Sequence, residues 1–149
     1  MQTRGELRVD PGTIENFSPA HEMEVVVPYT EWAVTEALLH RAAALTRGLN
    51  VRLLLIAVLA IPYPCTFPGP AAVHAHMVEQ LEELAERCAL PVQAQVVLAR
   101  SREEGFRYAL RPDSTVMVGS RKRFWRTAEE RLAKMLAADG HKVALVHVA

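Results

Sequence analysis

The feature that most constrains this chain is an alternation. Apolar runs with strand character at 24–27, 51–59, 92–98, 115–118 and 143–148 are separated by helix-like segments at 31–47, 71–89, 102–110 and 128–138. Strands joined by crossover helices pair in parallel, and a parallel sheet hides both faces under helices. The expectation is an α/β fold: a single-domain, open, parallel five-stranded sheet with helices on both faces.

Local signals agree with the periodicity. Ser101 with Glu104 and Thr127 with Glu130 fit the capping-box pattern, and Gly48 and Gly140 stand where a helix end calls for a left-handed residue. In the second helix Val73, Met77, Leu81, Leu84 and Cys88 share one stripe, opposite Glu79, Glu82, Glu83 and Glu86. The stripe predicts that these five residues face the core.

The strands differ in character. Val92-Gln93-Ala94-Gln95-Val96 alternates as a half-exposed edge strand does, whereas 51–59 and 116–118 are apolar on both faces, as central strands are. The last strand, added at the end, falls at the opposite edge, where a second copy of the chain would cover it. Val143, Leu145, His147 and Val148 are the expected dimer contacts.

Residues 1–22 mix Gly, Pro, Asn, Ser and charges without a period and read as a flexible N-terminal arm or linker; 23–149 form the domain. At 149 residues and 50% hydrophobic, the chain fills one core. Seventeen basic and seventeen acidic side chains cancel, so no global field draws it to nucleic acid. The run Arg121–Arg126 interleaves cations with Phe124 and Trp125, but without a second basic or aromatic segment it does not make a nucleic-acid groove. Arg4 and Arg8 are not followed by an apolar stretch, and the longest apolar run, Leu53 to Ile61, is too short to span a bilayer. Cys65 and Cys88 form no C-x-x-C pair. A cytoplasmic protein without membrane insertion is expected.

The chemistry-bearing features are few. His74 and His76 lie two apart near a helix start, on different faces, and are poor joint metal ligands; His147 reads as an interface residue. Cys65, in the loop from Pro62 to Pro70, has no neighbouring base. No Ser/His/Asp, paired-carboxylate or HExxH pattern is present, so no enzyme is expected.

In an open parallel sheet, ligands bind beyond the carboxyl ends of the strands, where strand order reverses. Two segments meet that place. Pro28-Tyr29-Thr30-Glu31 follows the first strand, with Thr30 expected as N-cap and Tyr29 stapled onto Val34. Thr115-Val116-Met117-Val118-Gly119-Ser120 reads as a buried strand ending at Gly-Ser and opening into a cationic loop, Arg121-Lys122-Arg123, before a helix. Such a loop suits anion capture: Gly119 and Ser120 offer backbone and hydroxyl, and Arg121, Lys122 and Arg123 offer charge.

With its β-α order, a first strand ending in Val27-Pro28 and a penultimate strand ending in Val118-Gly119-Ser120, the chain resembles the universal stress protein family over about residues 23–149. The resemblance implies strand order 3-2-1-4-5 and a homodimer through the last strand. ATP-binding members of that family carry a G-x-x-G-x9-G-[ST] pattern and an Asp after the first strand. Here Gly119 matches the first glycine, but the later positions fall on Lys122, Leu132 and Ala133, and the Asp falls on Thr30. Members without the glycines look like regulatory or assembly modules, and similar domains extend membrane transporters.

The sequence therefore points to a non-catalytic regulatory module without a cofactor. Its expected ligand is a protein partner or small anion near Tyr29, Thr30 and Gly119–Arg123. The alternative is an adenine-nucleotide (ATP or AMP) sensor, or weak ATPase, built on the Gly119–Arg123 loop.

Overall fold

The computed structural model describes residues 23–61, 69–121 and 127–148. The expected N-terminal arm, Cys65, and the segment holding Lys122, Arg123, Phe124 and Trp125 lie outside the described residues.

Five strands, β1 (Met23–Pro28), β2 (Val51–Ala60), β3 (Val92–Ala99), β4 (Thr115–Arg121) and β5 (Lys142–Val148), form one parallel sheet in the order β3-β2-β1-β4-β5. Among the described residues four helices connect them: α1 (Trp32–Leu45), α2 (Gly69–Arg87), α3 (Arg102–Ala109) and α4 (Ala128–Ala138). The expected fold class and both expected edges are those observed.

The central strands are buried on both faces, as their unbroken apolar runs require. One layer packs Val25, Val27, Leu53 and Leu55 against Leu38, Leu39 and Ala42 of α1 and Leu81 and Leu84 of α2. The other packs Val26, Ile56, Val116 and Val118 against Phe106 of α3 and Leu132 and Leu136 of α4. The predicted stripe of α2 is only partly inside. Leu81 and Leu84 are buried and Met77 and Cys88 half-buried, but Val73 is exposed and Cys88 lies past the end of the helix.

Both capping boxes form their side-chain bond: Ser101 Oγ accepts from Glu104 N and Thr127 Oγ1 from Glu130 N, each at 3.1 Å. Gly140 directly follows the cap of α4 with φ 98°, and Gly48 comes two residues after the cap of α1 with φ 84°. Glycine meets these angles without the Cβ penalty.

The ladders are unequal. β2 and β3 pair over eight residues and β4 and β5 over seven, but β1 and β4 pair only at Val25–Thr115 and Val26–Val116. The sheet therefore has a seam beside its central strand.

Helix α3 sits close to the sheet because Gly105 has no side chain. A Cβ there would collide with Cγ1 of Val58 and stand 2.8 Å from its Cγ2. Gly105→Ala is expected to lower stability by about 1–3 kcal/mol. The midpoint of urea unfolding measures this, and adding Val58→Ala should recover part of the loss, because the clash is with that one side chain.

Candidate functional site

The seam opens at the carboxyl ends of β1 and β4, where the chain leaves to opposite faces: from β1 into α1 and from β4 toward α4. Beyond Val26 and Val116 the two strands no longer pair; Tyr29 N instead donates to Ile56 O at 2.7 Å, keeping the end of β1 with β2. This is the switch-point crevice of an open α/β sheet.

On the β1 side the cap differs from the sequence reading. Helix α1 begins at Trp32, so the N-cap is Glu31, in extended conformation and without a side-chain cap bond; Thr30 lies one residue outside. The Thr30 N–H is held by the fully buried Thr35, whose Oγ1 accepts it at 3.2 Å. The positions that a hydrophobic staple would join are therefore Thr30 and Thr35, joined here by a hydrogen bond rather than by Tyr29 on Val34. Tyr29 packs against the α1–α2 core layer, and its hydroxyl is pushed above its ordinary pKa by burial and then by the Glu31 carboxylate. Arg87 anchors the start of α1: it lies over the Trp32 ring, 5.6 Å from its centroid, and bonds Glu36 at 2.7 Å and Glu83 at 2.9 Å.

On the β4 side the expected loop is strand. Gly119, Ser120 and Arg121 continue β4, paired with Val146, His147 and Val148 of β5. Alternation sends their side chains apart. Gly119 faces α1, where a Cβ would stand 3.0 Å from Val34 Cγ1 and 3.1 Å from Leu38 Cδ2. Its function in the fold is close helix packing, and that face of its backbone is covered. Ser120 points to the other layer. It is fully buried, with Oγ 3.3 Å from Thr127 Oγ1 and donating to Arg121 O at 3.2 Å. A hydroxyl enclosed in this way is bonded within the protein instead of facing a phosphate.

Arg121 faces the crevice on the α1 side. Its guanidinium stands 3.7 Å from the Glu31 carboxylate, an ion pair longer than a hydrogen bond, with both side chains partly exposed. The buried Nε of Arg121 has no hydrogen-bond partner among the described residues. An unpaired donor of this kind is costly and invites an acceptor. Of the expected ligand residues, Thr30 and Arg121 stand at the switch point, Tyr29 packs into the α1–α2 layer, Gly119 is covered by α1 and Ser120 is turned away. The residues that sequence reading missed are Glu31, which meets Arg121, and Thr127, which fixes Ser120. Glu31 had a signal in its place at the end of the Pro28-Tyr29-Thr30-Glu31 segment that follows the first strand.

The dimer contacts expected on β5 divide between faces. Val143 and Leu145 are half-buried on the α4 layer, Val148 is buried and His147 is exposed. Arg41 of α1 donates to His147 O at 3.5 Å. Among the described residues no three His, Cys, Asp or Glu side chains gather as a metal site, and no helix is long and apolar enough to cross a membrane.

Thr127 closes two bonds at once, capping α4 and holding Ser120. Thr127→Ala should therefore cost roughly 1–2 kcal/mol in chemical denaturation, and Thr127→Ser should restore most of it.

No protein-family model matches the chain, and no curated protein matches it. A solved structure titled as the crystal structure of SCL7 in Oryza sativa aligns with 93% of this chain and 40% of its own length, at 19% identity and a TM-score of 0.44. The chain spans less than half of that structure, and a likeness this distant carries no argument about function.

Proposed function

We propose that the chain is a non-catalytic regulatory module of the universal-stress-protein kind, which acts by binding a small anion or an acidic group of a protein partner at the switch-point crevice. The observation that carries this reading is Arg121: a guanidinium at the carboxyl end of β4, whose buried Nε–H has no hydrogen-bond acceptor among the described residues and stands 3.7 Å from the Glu31 carboxylate. An incoming carboxylate or phosphate oxygen satisfies the donor and displaces a weak ion pair. The packing of Val34 and Leu38 on Gly119 supports the small-ligand form over the nucleotide form, because a nucleotide's phosphates need close approach to glycine backbone.

The test is calorimetric titration with inorganic pyrophosphate and, separately, with ATP and magnesium. Saturable, salt-sensitive pyrophosphate binding is expected, weakened about tenfold in Arg121→Gln, which removes one charged hydrogen bond. No heat with either compound overturns the anion site. ATP binding much tighter than pyrophosphate replaces it with the nucleotide sensor.

The same module is proposed to pair with a second copy through β5. Beside that strand runs a groove of about 270 Å³, lined by Ala133, Ala137, Val143 and Leu145 and rimmed by Glu130 and Lys134. Under a two-fold axis the acidic and basic rim groups of the two copies can face one another. Sedimentation at micromolar concentration is expected to give a dimer, and Ala137→Glu, at an exposed position that lines this groove, a monomer. A monomeric parent chain disproves pairing.

A further inference from the structure

Helix α3 is too short for the sheet it covers. Its eight residues rise about 12 Å, whereas the ten residues of β2 extend about 33 Å. The helix ends at Leu110 in extended backbone, so among the described residues no helix lies above the amino-terminal half of β1, β2 and β3 on this face. The strands change character at that point. Alternation places Glu24 beside Val26, Arg52 beside Leu54 and Ile56, and Gln95 beside Val97 on one face of the sheet. Toward the carboxyl end these positions are apolar and buried, and toward the amino end they are polar.

The recess left there is a cavity of about 240 Å³ at the opposite end of the sheet from the switch-point crevice. Val26 and Leu54 contribute its apolar lining, Ala109 and Leu110 close it from the helix side, and Glu24, Gln95 and Arg111 bring polar groups. Glu24 is fixed by Arg52, whose Nη2 donates to Oε2 at 3.3 Å. The wall that carries Arg111 is also fixed. Ser114 Oγ donates to Arg111 O at 2.6 Å, Ser114 N donates to His141 Nδ1 at 3.1 Å, and Asp113 between them takes the left-handed φ of 57°.

We propose that this cavity binds a small zwitterion of amino-acid size. Its ammonium group would meet the Glu24 carboxylate, its carboxylate the Arg111 guanidinium, and a short apolar side chain would rest on Val26 and Leu54. The volume lies below the ~300 Å³ at which pockets for drug-sized ligands begin. A simple anion is disfavoured by Glu24, and a simple cation by Arg52 and Arg111. A ligand that carries both charges a few bonds apart satisfies both walls.

The experiment is a two-dimensional amide NMR titration of the full chain with each proteinogenic amino acid at millimolar concentration, with propionate and ethylamine as single-charge controls. The expected result is saturable shifts at Gln95 and Ala109–Ser114 for one or a few amino acids, with Gly119–Arg121 unmoved. Arg111→Ala, at an exposed position that the fold does not need, should weaken that binding about tenfold or more. Glu24→Gln should do the same without affecting the binding of pyrophosphate. No saturable shift with any amino acid overturns the proposal. So does equal binding of propionate, or binding unchanged in Arg111→Ala.

Discussion

Helix α1 packs closely over the switch point at a place where β4 carries no side chain. Val34 and Leu38 lie on Gly119, where a Cβ would stand 3.0 Å from Val34 Cγ1 and 3.1 Å from Leu38 Cδ2 and push them back by a few tenths of an ångström. The start of α1 then falls where Glu31 meets Arg121 and where Thr35 takes the Thr30 N–H. The stack of Arg87 on Trp32 holds the same end from the α2 side. The crevice is thus shaped by apolar packing first, and its charges are arranged on what the packing leaves open.

The second layer uses the same device, with Gly105 of α3 pressed onto Val58. Close approach suits helices on a sheet whose central strands carry Val, Leu and Ile on both faces, since every ångström of separation forfeits dispersion contact. The two layers differ in reach. α1 and α2 are long, and α3 is short, so among the described residues the helices cover more of one face of the sheet and leave the polar ends of β1, β2 and β3 on the other.

Most of the fold was legible because its determinants are local. The capping residues Ser101 and Thr127 act three residues away, and the Gln93–Gln95 alternation reports an edge whatever lies beside it. The end of β4 was not legible. Gly-Ser before three cations has the composition of a turn, yet the strand continues, because α1 buries Gly119 and Thr127 buries Ser120, and both come from distant or later segments. The N-cap lies one residue beyond the better capping side chain: the helix starts at Trp32 with Glu31 as its cap, and Thr30 outside it is tied by its N–H to Thr35, a contact that side-chain preference alone does not reveal. Val73 follows the stripe of α2 and is nevertheless exposed, since periodicity marks a face of a helix and not how much of that face is covered.

The two-pair ladder between β1 and β4 bears on how the molecule comes apart. Val25 and Thr115 are 90 positions apart in sequence (115 − 25), whereas β2–β3 and β4–β5 each join strands separated by a single helix. The chain is thus two βαβ-type blocks, one ending at β3 and one beginning at β4, stitched along a line where backbone bonds are fewest. Cooperative opening units follow such boundaries. A molecule held across the crevice would grip both blocks at once, so occupancy of the site and the docking of the two halves would be the same equilibrium seen from two sides.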